Sequence, residues 1–471
     1  MTTNSKEARD ESARIKNTLV DVTLAKELTA FDGLMIGIGG LIGGGIFSVV
    51  GLAIAKAGPA VIITFLLGGL VAITTGISYV KLSKRYPLSG ATYVYVDRAF
   101  RNQFLSGWIG WLLFTGYTII CAMYAYSFGA YTAHFLTAIF PFFDSIHNFV
   151  QICASIVLIS FFLFLNLQGV SESAKMQRII VLAKLILLGF FILIGFYGLL
   201  QTPEQTVTNF SGFSDFMNPA GVISIIIALT LIFPAFEGLE LIPNSAEEMV
   251  DPKKDLPIAI YGSGIAVIVI YLAVVIVLVG NYDWTELAAH PEQAEVALAT
   301  VAESIIGTIG IVLLSAGALF STASAFNASL YGSSRLSYNL GDQKVFPEVF
   351  SDLNTRRVPS FSLIVISVIT FGLTMTGKLE FISSMGAIAF LAVFLLVNLS
   401  ALQLKKKKKI EINSLAPWTS ITLCVVAIGT LIWYYVFNTP TQDLFLMGGV
   451  VIYYIAITLT NWITLLKIKK N

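Results

Sequence analysis

Charge is what this 471-residue sequence has least of: Asp, Glu, Lys and Arg make up 12% of it, about half the share in a soluble domain. So little charge cannot coat the two or three water-soluble domains that a chain of this length would otherwise form. This excludes a soluble multidomain enzyme, a nucleic-acid binder and a disordered scaffold. Cysteine is scarce too. Cys121, Cys153 and Cys424 lie in apolar stretches, odd in number and without metal-ligand spacing, which argues against a disulfide framework or a zinc site. His134, His147 and His290 are scattered near predicted loops and form no ligand set in sequence. Neither HExxH nor GxxxxGK[ST] occurs, which disfavours a zinc hydrolase and an ATP-driven pump. Residues 1–30 lack an apolar h-region and read as a polar tail.

What is abundant is apolar: 56% of residues, with a mean hydropathy of +0.81. Runs near 20 residues are long enough to cross a hydrocarbon core of about 30 Å. About twelve are expected, over 31–55, 58–80, 104–138, 149–167, 178–200, 219–242, 257–281, 304–338, 360–376, 380–404, 416–437 and 443–466. The expected class is an all-α integral membrane protein. Its 29 Lys and Arg then sort by side: 26 fall with the two termini, Lys56 and Lys378 fall opposite, and Lys184 lies inside the fifth span. The positive-inside rule makes the rich side cytoplasmic, so a multi-pass cell-membrane protein with both termini inside is expected. The Lys405–Lys409 run could be a lipid or nucleic-acid patch, but an anchor between spans 10 and 11 accounts for it more simply.

Two spans are interrupted at matching places. The first contains Gly39-Gly40-Leu41-Ile42-Gly43-Gly44-Gly45, and each interior Gly costs about 1 kcal/mol of helix stability relative to Ala. The sixth contains Phe233-Pro234-Ala235-Phe236-Glu237-Gly238, where Pro234 removes a backbone bond. Unwound backbone at membrane depth must be buried in protein or line a cavity. Breaks in spans 1 and 6, with spans 3 and 8 both unusually long, fit two inverted five-helix repeats (about 31–200 and 219–404) around a midplane site. Residues 405–471 add two more spans and a short tail. Freed N–H groups at a half-helix N-terminus suit a carboxylate, and freed carbonyls suit an ammonium, so the ligand chemistry is that of an amino acid. The competing explanation for the glycines is close packing, since Gly39-x-x-x-Gly43 and Gly40-x-x-x-Gly44 are small-xxx-small patterns.

These segments resemble a known family. Ile42-Gly43-Gly44-Gly45-Ile46-Phe47 is similar to the span-1 signature of the amino acid–polyamine–organocation (APC) superfamily of permeases. Phe236-Glu237-Gly238 with Ala246-Glu247-Glu248 and Asp251-Pro252 is similar to its span-6 signature, and Ser324-Ala325-Phe326-Asn327-Ala328 with Ser334-Arg335 to its span 8. The resemblance covers about residues 30–404 and implies a leucine-transporter-type fold. It implies that amides of Gly43, Gly44 and Gly45 receive a substrate carboxylate. Carbonyls around Leu41 and in the turn with Phe233, Ala235, Phe236 and Gly238 would receive the amine. Gly44 stands where the family's Gly-Ser-Gly turn has Ser, and Pro234 and Leu239 stand where aromatics are common, leaving Phe233 and Phe236 as gate candidates.

Ionisable groups inside the membrane are expensive, about 2.5–3.5 kcal/mol at the bilayer centre on insertion scales. Lys184 lies six residues past Arg178, within reach of the headgroups if it snorkels. The resemblance implies instead that its ammonium stands in for the Na⁺ of sodium-coupled relatives, tying spans 1, 5 and 8 together and taking part in proton coupling. Glu237 and Glu240 share one helical face. They would handle the coupling proton, orient the half-helix or select a cationic side chain. Outside, 282–303 carries five acids and no Lys or Arg, as a lid or as a plain charged loop. The resulting expectation is a secondary transporter of amino acids working by alternating access with protons as coupling ion. An obligatory exchanger of amino acids or polyamines is the alternative, and a membrane-embedded enzyme a distant one. No cofactor, metal or nucleic-acid partner is expected, and the oligomeric state is open.

Overall fold

A computed structural model describes residues 28–88, 90–169, 174–437, 455 and 458–463. Among them the chain is helical, with one isolated backbone bridge between Leu28 and Met249 and no named strand. Among the described residues nine helices are long and apolar enough to cross a membrane, and three shorter apolar ones cover Ala30–Leu41, Ala297–Ile306 and Ser360–Thr374. The predicted span at 443–466 falls largely outside the described residues.

The first expected span divides into α1 (Ala30–Leu41) and α2 (Gly44–Ala57). Thr29 and Asp32 form a reciprocal capping box at the start of α1, and Arg178 lies 2.9 Å from Asp32. At the far end of α2, Gly58 adopts φ 50°, a left-handed conformation that favours glycine and turns the chain into α3 (Val61–Arg85). A short helix α4 (Ala91–Phe100) leads to α5 (Gln103–Ile139), followed by α6 (His147–Leu167), α7 (Ala174–Gln201) and α8 (Pro203–Ser211).

The sixth expected span starts as α9 (Pro219–Ile232), tightens into a 3₁₀ segment over Phe233–Glu240 and ends in one turn, Leu241–Asn244. Next come α10 (Pro252–Asn281), the short α11 (Trp284–Ala289) and α12 (Ala297–Ile306), and α13 (Thr308–Asp342). Three further helices follow: α14 (Ser360–Thr374), α15 (Leu379–Lys406) and α16 (Leu415–Phe437).

Position in the bundle follows from how much apolar surface each helix hides. The best apolar window of α5 is 83% buried, whereas that of the α6 stretch is 22% buried. On α6 and α7, Phe161, Ile186, Leu193 and Leu200 project outward, as expected of side chains whose solvent is lipid. The long α5 and α13 pack along each other and, with α10 and α15, surround the two interrupted helices.

One set of polar groups in this apolar core is mutually paired. The Asn398 amide on α15 donates to Thr75 (2.9 Å) on α3 and Ser420 (3.0 Å) on α16, while Ser78 donates to its carbonyl oxygen (2.6 Å). This cluster joins α16 to the body of the bundle. Interhelical hydrogen bonds in bilayers average about 0.6 kcal/mol each, because the separated helices also find partners. Asn398→Ala should therefore lower stability by about 1–2 kcal/mol. Thermal unfolding in detergent should register that loss as a lower midpoint, with the helical content of the folded state unchanged.

Candidate functional site at the crossing of two broken helices

Helix α1 stops because residues 42 and 43 leave helical geometry: Ile42 has φ −81°, ψ 49° and Gly43 has φ −78°, ψ −146°. Helix α2 restarts at Gly44 with no side-chain cap. The first N–H groups of a helix have no partner within it, and together they carry about half a positive charge. Gly43, Gly44 and Gly45 present this end inside the protein, all buried.

The 3₁₀ segment crosses this gap at van der Waals distance. A Cβ on Gly238 would lie 2.2 Å from the Gly40 carbonyl carbon and the Leu41 nitrogen, and one on Gly45 would lie 2.6 Å from the Ala235 Cα. Two backbones thus meet directly, with no side chain between them. The small-residue pattern serves close packing, and the same contact brings the two sets of freed backbone groups together.

Side chains from the frame satisfy part of that backbone. The Tyr271 hydroxyl on α10 points between the carbonyls of Leu41 and Ala235, 3.1 Å from the latter, and donates to them. Ser321 on α13 donates to the Gly43 carbonyl (2.9 Å). The expected amine-binding carbonyls of Leu41 and Ala235 are therefore already engaged by Tyr271. A carbonyl oxygen has two lone pairs, so the Leu41 carbonyl, at the open end of α1, keeps one acceptor position.

Over the start of α2 lies Tyr124 of α5, whose ring would be 2.3 Å from a Cβ on Gly44. Its hydroxyl donates to Glu237 Oε1 (2.7 Å), while Glu237 Oε2 is buried without a hydrogen-bond partner. Glu240 engages other neighbours, the hydroxyls of Tyr79 on α3 and Thr92 on α4 (2.8 Å). The two glutamates are thus divided: Glu237 belongs to the crossing, and Glu240 ties the 3₁₀ segment to α3 and α4.

Phe233 and Phe236 flank the crossing. Phe233 packs edge-on against Phe394 of α15, and Phe236 packs against Tyr271 and beside Gly68 of α3. Lys184 is 5% exposed, more buried than a stem laid along the lipid face would be. It sits three residues from Val181, which touches Gly39 of α1, and three from Leu187, which touches Gly317 of α13. Its face of α7 is therefore the one wedged between α1 and α13.

Tyr124, Tyr271, Ser321, Tyr79 and Thr92 were not singled out in the sequence. The available signal was a tyrosine deep within an apolar span, since a phenol buried there needs a hydrogen-bond partner. Cys121, Cys153 and Cys424 are free thiols, and no group of residues able to hold a metal ion occurs among the described residues.

The family model described as "Amino acid permease" matches residues 28–461. The chain belongs to the amino acid permease family. Within the APC superfamily it is similar to the branched-chain amino acid permease BcaP of Bacillus subtilis, 24% identical over 94% of this chain and 95% of that one. It is similar to the methylthioribose transporter of Bacillus subtilis (27%, covering 88% of both chains). The aromatic amino acid transport protein AroP of Corynebacterium glutamicum is 26% identical over 84% of this chain and 86% of its own length. This family and these relatives are transporters and not enzymes. The permease is a multi-pass membrane protein.

Glycine-to-alanine substitutions test the crossing. Gly238→Ala forces a Cβ into backbone and should reduce membrane-inserted protein or uptake by tenfold or more. Gly189→Ala on α7 has nothing within 4 Å of the added Cβ and should leave both unchanged. Quantitative immunoblotting of membranes together with uptake reads the contrast. Equal behaviour of the two variants would remove the steric argument.

Proposed function

We propose that this permease is a secondary active transporter that moves amino acids across the cell membrane by alternating access, in symport with protons. The observation that carries the reading is the buried crossing, where a half-helix N-terminus lies beside the Leu41 carbonyl at the open end of α1 and the backbone of the 3₁₀ segment. In this reading Gly43, Gly44 and Gly45 receive the carboxylate. The carbonyls of Leu41 and Ala235 receive the amine beside Gly238, with Phe233 and Phe236 as the apolar surround. Tyr124 shifts off the start of α2 when substrate enters. The twelve-span, inverted-repeat architecture (31–200 and 219–404, with 405–471 appended and both termini cytoplasmic) is part of the same proposal. It is supported by the two helix breaks and by the basic-residue asymmetry.

Coupling is assigned to Lys184, Glu237 and Glu240. The burial of Lys184 between α1 and α13 supports a role in sensing the position of α1. The unpartnered Glu237 Oε2 beside Tyr124 supports proton exchange next to the carboxylate site. The deciding assay is radiolabelled uptake in proteoliposomes against a panel of neutral, branched, aromatic and cationic amino acids. Methylthioribose belongs in the panel because one long-range relative transports it. Accumulation should follow an imposed inward proton gradient without substrate inside the vesicle. A strict requirement for internal substrate would replace symport with exchange, and the lack of uptake of any amino acid would refute the substrate class.

Lys184→Ala should abolish gradient-driven accumulation while leaving protein in the membrane. Retained accumulation at the parent level would exclude Lys184 from coupling.

A further inference from the structure

The chain's three histidines, far apart in sequence, gather at one end of the bundle. His134 of α5 and His147 of α6 line a cavity of about 210 Å³ with Tyr126, Gln151, Glu292 and Glu295. His290 lies 3.3 Å from Glu292 and 3.7 Å from Glu286. The acid-rich segment expected to be either lid or loop is therefore built of short helices, and it covers α2. A Cβ on Gly51 would lie 2.1 Å from the Ala294 carbonyl oxygen.

At the centre is the partly buried Glu295. The Tyr126 hydroxyl lies 3.0 and 3.1 Å from its two carboxyl oxygens and 3.3 Å from the carbonyl of Gly377, between α14 and α15. A second cavity that Tyr126 also lines is bounded by Gln151, Ser155, Thr374 and Gly377. One phenol thus joins the covering segment, α5 and the α14–α15 connection, and lines both cavities. The titratable and charged neighbours are Tyr126 and His134 from α5, His147 from α6, Glu292 and His290 from the segment itself, and Lys378 next to Gly377.

We propose that Glu295 is a proton-binding site at the outer mouth, and that its protonation favours the shut arrangement of residues 284–306 over α2 and Tyr126. The proposal rests on the reading that this mouth faces outward and opens during transport. Burial pushes the Glu295 carboxyl up to about 7, with the Tyr126 hydrogen bond opposing the rise and Glu292 adding to it. In an open, water-filled mouth the same carboxyl returns toward its ordinary 4.5. The shut arrangement holds the proton more tightly, so its advantage is complete below 4.5 and is lost as pH rises through about 7. External acid would then load the site and close the mouth in one step.

Accessibility measures this without any cargo. A cysteine replacing Ala130, which lines the first cavity, is labelled with a membrane-impermeant maleimide in proteoliposomes. Its rate is divided by that of a cysteine replacing the exposed Glu204, which cancels the intrinsic pH dependence of thiols. The ratio should rise roughly threefold or more between about pH 5.5 and 8.5. Glu295→Gln, which cannot ionise, should hold the ratio flat at its low value. Tyr126→Phe, which removes a donor to the charged form, should move the rise to higher pH. A flat parent profile, an unchanged rise in Glu295→Gln, or a rise lost in His134→Gln or His147→Gln instead would each overturn the proposal. Uptake measurements are not involved, so failure here is distinguishable from failure of the amino-acid reading.

Discussion

Everything at the centre of this permease depends on two helices being interrupted at the point where they touch. A membrane offers no water to satisfy freed N–H and C=O groups, so an interrupted helix survives only where protein supplies partners. Here the partner of each break is partly the other break and partly the frame. Glycine at 40, 45 and 238 allows backbone to meet backbone, and the Tyr271 hydroxyl serves carbonyls on both sides of the crossing. Remove the small residues and the segments separate. Remove the phenol and two carbonyls lose a donor in a dry interior, which costs about 1–3 kcal/mol for a buried group left unsatisfied.

From that crossing the frame follows. Helices α5, α10 and α13 each contribute a hydroxyl to it, Tyr124, Tyr271 and Ser321 respectively, so all three must approach within side-chain reach. Satisfying the crossing therefore fixes which faces of the long helices point inward. Their opposite faces pack against peripheral helices or lipid, where exposed Leu, Ile and Phe carry no penalty. The same economy of polar groups recurs at the periphery, where Asn398 with three hydroxyl residues attaches α16, and at the mouth, where Tyr126 gathers three segments.

Helix positions were largely legible, because a long apolar run can only be a helix in lipid. The run expected over 104–138 is observed as Gln103–Ile139, and the one over 304–338 as Thr308–Asp342. The first break was legible from five glycines, and the second from Pro234 and Gly238, since both residue types weaken a helix on their own. Less of the site could be read. Phe233 and Phe236 were named as gate candidates, but their packing against Phe394 of α15 and against Tyr271 depends on how the 3₁₀ segment directs successive side chains, which sequence alone does not give. Glu237 and Glu240 share a face by spacing but engage different helices. The histidines looked scattered because sequence separation hides that the end of α5, the start of α6 and the segment after α10 come together around one cavity.

Composition and local pattern by themselves determined that the chain is a helical membrane protein and where two of its apolar helices are interrupted. Those properties depend on single segments and the solvent around them. Only the tertiary structure decided that the two failures meet, that Tyr124 and Tyr271 serve them, that Lys184 lies between α1 and α13, and that Glu295 shares a phenol with distant helices. These are pairings between residues tens to hundreds of positions apart. Each is selected by the fit of whole helices, to which no one segment's hydrophobicity or propensity responds.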